Sequence, residues 1–276
     1  MCMSNNKTFG NTLHSSSHME YLKALKQHRL KIKLSQVCVL LGFLLLWEVA
    51  ATLNWIDSFF TSKPSEVFKL IINLSRDGSL FKHTAISVFE VVMGFVIGTI
   101  LGTIAAIMLW WSDFAAKVLD PYLVVLNALP KIALGPIIII WAGAGMRGII
   151  VTALAISLVV TILATYNGFK EVDEEKIKML MTFGATKFQI LQKVVFPASI
   201  PTMLNTMKIN IGMSWVGVIV GEFLVSKAGL GYLIVYGGQV FRLDIVMAGV
   251  IVLAIATALM YQLIVWLEAK FLRGRQ

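Results

Sequence analysis

Apolar residues dominate six stretches of the chain, at 35–53, 85–110, 118–141, 148–165, 202–224 and 245–267, with polar segments between them. Each is long enough to cross the hydrocarbon core of a bilayer as a helix. The pattern predicts an all-α, polytopic membrane protein with six transmembrane helices. Within the spans, smaller features predict how the helices pack or break. Gly94, Gly98 and Gly102 recur every four residues on one face of the second span, which lets another backbone approach closely. The third span contains Pro130-Lys131 and Gly135-Pro136, so its helix must lose backbone bonds where only protein or water can replace lipid. The fifth carries Asn205, Lys208, Asn210, Ser214 and Glu222 among its apolar residues, and intramembrane ionisable groups usually face a bundle interior or a cavity.

The polar segments differ in kind. Between the first two spans, Lys63-Pro64-Ser65 and Asp77-Gly78-Ser79 bracket an amphipathic VFKLIINL, which predicts a short helix at the outer surface. Residues 226–244 form a glycine-punctuated outer loop with one short apolar segment. The longest interruption after the first third of the chain is 166–201, and it predicts a helix-turn-helix. Asp173 can cap a helix that starts with Glu174 and Glu175, acids placed at the positive end of the macrodipole. Gly184 ends it in a left-handed cap, and Thr186 to Gln189 has the form of a capping box that starts a second helix. Ile177, Leu180 and Met181 share a face of the first helix, and Phe188, Leu191 and Val195 share one of the second. Pro197 and Pro201 then close the unit before the fifth span.

Composition agrees with the pattern: 58% of the residues are hydrophobic and 14% are charged, which excludes an ordinary soluble domain. The formal charge of +9 does not point to nucleic acid, because the basic residues lie beside apolar spans rather than in a separate domain. Lys23, Lys26, Arg29, Lys31 and Lys33 precede the first span, Lys170, Lys176, Lys178, Lys187 and Lys193 lie in the 166–201 loop, and Lys270, Arg273 and Arg275 end the chain. This bias places that loop and both termini in the cytoplasm. Residues 1–34 read as a cytoplasmic tail, polar and unstructured over 1–19, and residues 35–276 as the membrane domain. Cys2 and Cys38 have no partner spacing for redox or metal chemistry. His14, His18 and His28 have no acid or Cys at metal-ligand spacing, so they read as solvated tail residues.

Several separated motifs, taken in order, resemble one family. PSEVFKLI at 64–71, the glycine-rich second span, NALPKIALGPIIIIWAGAG at 127–145, the 166–201 loop and VGEFLVSKAGLGYLI at 220–234 are similar to permease subunits of the nitrate/sulfonate/taurine branch of ABC importers. The loop resembles that family's cytoplasmic "EAA" loop: Gly184 and Pro197 have its spacing, with Val194 and Phe196 at its apolar positions. Lys178-Met179-Leu180 stands where Glu-Ala-Ala is usual, and Glu90 stands where the branch commonly carries arginine. The resemblance implies a type I importer fold with a coupling loop at 168–197. It implies a second permease copy, two cytoplasmic ABC ATPase subunits and an extracytoplasmic substrate-binding protein, all in the lipid bilayer setting and without nucleic acid. Contacts with the ATPase would fall to Asp173, Glu174, Ile177, Met181, Gly184, Ala185, Thr186, Gln189 and Pro197. The chain itself needs no cofactor, since ATP is used by the partner subunits; it contains no G-x-x-x-x-G-K-[ST] loop.

The broken third span and polar fifth span suggest a translocation pathway along Asn127, Pro130, Lys131, Asn205, Lys208, Ser214 and Glu222. Lys131 and Lys208, the basic residues within spans, would favour a small anion such as a sulfonate, taurine or nitrate; relatives that carry neutral heterocyclic vitamin precursors keep a neutral cargo open. Two other classes compete. An ion-gradient-driven transporter could use Glu48, Glu90 and Glu222 as a relay, but no inverted repeat of broken helices is evident. A membrane hydrolase would need a nucleophile or metal set, which the spans do not supply.

Overall fold

The computed structural model describes residues 6–53, 55–56 and 62–273. The readings of Cys2, His14, His18, Arg29, Arg273 and Arg275 concern side chains outside the described residues. The chain divides into two units, 1–66 and 67–276. In the first, α1 (Asn6–Thr52) is one continuous helix. This corrects the expectation of an unstructured 1–19 from residue 6 onward: no proline interrupts 6–52, and the Lys- and Leu-rich stretch ahead of the apolar run consists of good helix formers. Most of its apolar residues over 37–46 are exposed, with Leu46 72% exposed, as a lipid-facing surface would be. Glu48 accepts from the Ser65 N–H at 3.0 Å and from the Ser65 hydroxyl at 2.9 Å.

The second unit contains the remaining helices from Val67 onward. The predicted amphipathic segment is helical (α2, Pro64–Arg76), with Glu66 in its first turn and Arg76 in its last. α3 (Ser79–Trp111) covers the second span. The third is split, as the proline and glycine pairs predict: α4 (Asp113–Ala128) ends before Pro130, and a 3-10 turn (Lys131–Leu134) and α5 (Gly135–Ala142) follow, the segment Lys131–Ala142 lying at 89° to the first. α6 (Met146–Lys170) is the fourth span. After the elbow, α9 (Phe196–Val225) is the fifth and α11 (Leu243–Arg273) the sixth. The loop between them contains a helix, α10 (Leu230–Gln239), where the sequence suggested only a short apolar segment. With the bent pair taken as one span, the described residues provide up to six crossings.

α6 is the centre of the packing, held between α3 and α9 by glycines on both. A Cβ added to Gly94 would lie 2.9 Å from Ala153 Cβ, one at Gly98 3.0 Å from Ser157 Oγ, and one at Gly102 2.6 Å from Thr161 Cγ2. From the other side, a Cβ at Gly217 would lie 2.4 Å from Ala153 Cα and one at Gly221 2.9 Å from Ile149 Cα. The predicted glycine face of the second span is therefore a helix contact, and the fifth span has its counterpart. Ile149, Ala153, Ile211, Trp215 and Val218 form the buried core around it.

The prolines do not close the elbow as expected. Lys187–Val225 is one run of helix, in which a wide π turn (Leu191–Val195) joins the elbow to α9. Phe196 N–H bonds to Leu191 O, five residues back. Pro197 thus follows the wide turn directly, as the second residue of α9. Pro201 lies one turn further on, beside Ser199, whose hydroxyl reaches Val195 O at 2.8 Å and Gly168 O of α6 at 2.9 Å.

Candidate functional site

The elbow is built from local capping. α7 (Glu174–Thr182) starts at Asp173, whose carboxylate accepts from the Glu175 N–H at 2.9 Å; Glu174 pairs with Lys178 at 3.1 Å on the exposed side. It ends at Gly184, φ +78°, where the Ala185 N–H reaches Leu180 O and the Gly184 N–H reaches Met181 O, both at 3.0 Å. These two bonds define a Schellman cap, a conformation that suits glycine because it has no Cβ. α8 (Lys187–Ile190) follows without a spacer. Thr186 Oγ1 accepts from Gln189 N–H at 3.4 Å while Gln189 Oε1 accepts from Thr186 N–H at 2.8 Å, so both halves of the capping box are present.

Ile177, Leu180 and Ala185 pack inward against Phe169, Val172, Ile190, Leu191 and Val195. Met181 does not join them. It is 56% exposed, and Phe188 is also exposed, so the faces predicted for both helices need correction at these residues. The helix rotates Met181 past the packed side, and Phe188, in the first turn of α8, points away from Leu191 and Val195. Met179, Met181, Phe183 and Phe188 leave an exposed apolar surface on the elbow, with Phe183 80% exposed at its tip.

Lys187 was not singled out in the sequence beyond its charge. Its ammonium donates to Trp111 O at 2.6 Å and lies 5.6 Å from the Trp110 ring centroid, which fastens the elbow to the end of α3. The adjacent aromatic pair before a turn, with a lysine at the start of a capped helix, is the only sequence signal for this contact.

The proposed pathway residues do not converge on one site. Asn127 and Pro130 are exposed; Lys131 turns back to donate to Asn127 O at 3.0 Å and to Asn127 Oδ1 at 3.3 Å. Asn205 is exposed, whereas Ser214 and Glu222 are buried in the core. Lys208 is paired with Glu268 of α11 at 2.6 Å, so its charge is compensated within the protein. A small cavity of about 20 Å³ is lined instead by Thr99, Thr103, Thr161, Thr165, Thr206 and Asn210 with Met203 and Met207, and Asn210 Nδ2 donates to Thr99 Oγ1 at 2.9 Å. Among the described residues, no group of three or more His, Cys, Asp or Glu is placed to hold a metal.

Residues 98–273 match the family model described as "binding-protein-dependent transport system inner membrane component". The chain is 28% identical to a "probable ABC transporter permease protein" of Haemophilus influenzae, over 88% of this chain and 99% of that one. It is 27% identical to the taurine transport system permease protein of Escherichia coli, over 79% and 81%, and 26% identical to the riboflavin transport system permease protein of Chloroflexus aurantiacus, over 85% and 87%. Its fold matches a chain of the MetNI methionine ABC transporter in an inward-facing conformation, with a TM-score of 0.58 at 18% identity, covering 72% of this chain and 94% of the other. The fold, the spans and these matches agree: the chain belongs to the family of binding-protein-dependent transport system inner membrane components, and is a multi-pass membrane permease subunit of an ABC importer, a transport protein and not an enzyme.

Proposed function

We propose that this permease pairs with a second permease copy, receives a small solute from an extracytoplasmic binding protein and is driven by two cytoplasmic ABC ATPase subunits that use the ATP and dock on the 168–197 elbow. The observation that carries the docking is the exposed apolar surface of Met179, Met181, Phe183 and Phe188 on an elbow held rigid by Asp173, Gly184, Thr186 and Gln189. An apolar patch at the tip of a well-capped unit favours a protein partner over solvent. Asp173, Glu174, Ile177, Ala185 and Pro197 then shape the surface rather than touch the partner through a shared acid. Affinity purification of the tagged permease from its native membrane is the test: an ABC ATPase should co-purify with the wild type and be lost with Met181→Asp/Phe183→Asp. Recovery of equal ATPase with that variant would overturn the docking surface.

The cargo we infer is a small anion of the sulfonate or taurine kind, on the basis of relatives such as the taurine permease. A second reading, a neutral heterocycle, is favoured by the riboflavin permease among the relatives and by the Lys208–Glu268 pair, which removes one of the two cationic residues from an anion's reach. The ligand carried by the binding protein that co-purifies with the complex decides between them: an anion supports the first, a neutral molecule the second.

A further inference from the structure

Glu90 belongs neither to the elbow nor to the proposed pathway. It lies on α3, 2% exposed, one turn after Ser87 and on the same face, where Ser87 bonds the carboxylate of Glu222 on α9, itself 1% exposed, so that the two carboxyl groups face each other. Among the described residues, neither acid forms an ion pair. Two ionised carboxylates held together in a buried site repel each other strongly, so such a contact implies a bridging cation or a proton.

The surroundings select a proton. Glu222 Oε1 accepts from the Ser87 hydroxyl and Oε2 from the Gly231 N–H, each at 2.5 Å. Ser87 Oγ in turn accepts from the Leu230 N–H at 2.8 Å, so its single proton is committed to Glu222. Gly231 is in the first turn of α10, where the helix dipole favours a negative charge. Glu222 is thus supplied with donors on both oxygens, as an anion requires, whereas Glu90 Oε2 has no partner. Nor are there enough ligands for an ion beside them: among the described residues no group of three or more His, Cys, Asp or Glu is placed to hold one, and Gly229 and Gly231 bring backbone, not further side chains, against the Glu222 carboxyl group. The titratable neighbours add no cation. His83 Nδ1 accepts from the Gly229 N–H at 2.9 Å, its ring stacks on Tyr232 at 5.8 Å, Lys82 is exposed, and α6 presents Ile149 and Ala153 to α9.

We propose that Glu90 and Glu222 form a proton-sharing carboxyl pair in which Glu90 is protonated and donates its O–H to the Glu222 carboxylate, and that this pair is a positioning device that seats the first turn of α10 against α3 and α9. The acid at 90 supplies a donor to Glu222 without adding a positive charge.

Infrared difference spectroscopy on the purified importer complex, in an ester-free detergent at neutral pH, tests the protonation. The wild type should show the C=O stretch of a protonated carboxylic acid, shifted down in D₂O. That band should be missing from Glu90→Gln and retained in Glu222→Gln, where Glu90 is left without an anionic partner. Its absence from the wild type, or its persistence in Glu90→Gln, overturns the pair. Hydrogen exchange of the 229–233 amides tests the positioning role: Glu90→Gln, which keeps a donor, should exchange like the wild type, and Glu90→Ala at least tenfold faster. Equal protection in Glu90→Ala would refute it.

Discussion

At the residue scale, Gly184 is the most constrained position of the elbow. Its φ of +78° is unfavourable for side chains with a Cβ, yet nothing lies within 4 Å of where that Cβ would be, so substitution tests conformation and not crowding. Gly184→Val should cost about 1–2 kcal/mol of local stability. Because that strain falls between the two capped helices, the variant should insert normally while transport and substrate-stimulated ATPase activity of the reconstituted complex fall; wild-type values of both would remove the elbow from coupling. Thr186→Ala deletes one half of the capping box and should be milder, about 1 kcal/mol. These residues were legible in the sequence because capping is written within four residues of chain. The exposure of Met181 and Phe188 was not, since helical spacing groups residues on a face but does not say which neighbours a short helix will meet. Lys187 escaped notice for a related reason: its partners, Trp110 and Trp111, are far away in sequence and near only in the fold.

At the element scale, the glycines of α3 and α9 let α6 sit in the centre of the unit. Gly217→Ala would place a methyl group 2.4 Å from Ala153 Cα, which backbone cannot yield cheaply, whereas Gly212 in the same helix has nothing within 4 Å of its position. Gly217→Ala should therefore destabilise the protein by about 1–3 kcal/mol, while Gly212→Ala should be neutral or slightly stabilising. Thermal unfolding of the two variants in the same detergent checks the contrast, and equal midpoints would contradict the packing described. The period-four spacing in the second span signalled this contact, but not which helix it meets. The pairing of Lys208 with Glu268 had no such signal, because it joins two spans whose register only the tertiary fold sets. Removing one member leaves a half-buried charge without its partner. Lys208→Gln should thus cost about 2 kcal/mol, and adding Glu268→Gln should recover part of it in a double-mutant cycle.

At the scale of the whole molecule, the hydrophobic pattern predicted the number and order of the spans, because crossing a bilayer leaves little freedom in length or polarity. It also located the break in the third, since Pro130 and Gly135-Pro136 forbid a straight helix. The pathway residues were chosen by polarity alone, and the fold disperses them between surface, ion pair and core. Polarity within a span marks a group that needs a partner, and here the partner is as often another helix as a passage. The charge bias predicts orientation. In a chain with Cys2 and Cys38 replaced, a cysteine at position 187 should react with an impermeant thiol reagent only after the cytoplasmic side is opened, and one at 227 should react in intact cells. The reverse labelling would invert the topology.

The unbroken run from Lys187 to Val225 has a mechanical meaning. At 1.5 Å per residue its 39 residues make a rod roughly 58 Å long. Its elbow end is pinned to Trp111 and its far half is wedged against α6 at Gly217 and Gly221. Any sideways force on the elbow is a torque about that wedge, delivered through continuous helix. The wide turn at 191–195 is the one joint in the rod. It holds one residue more than an α-helical turn, and deleting that residue would rotate the elbow by about 100° relative to the span, leaving both ends folded but out of phase.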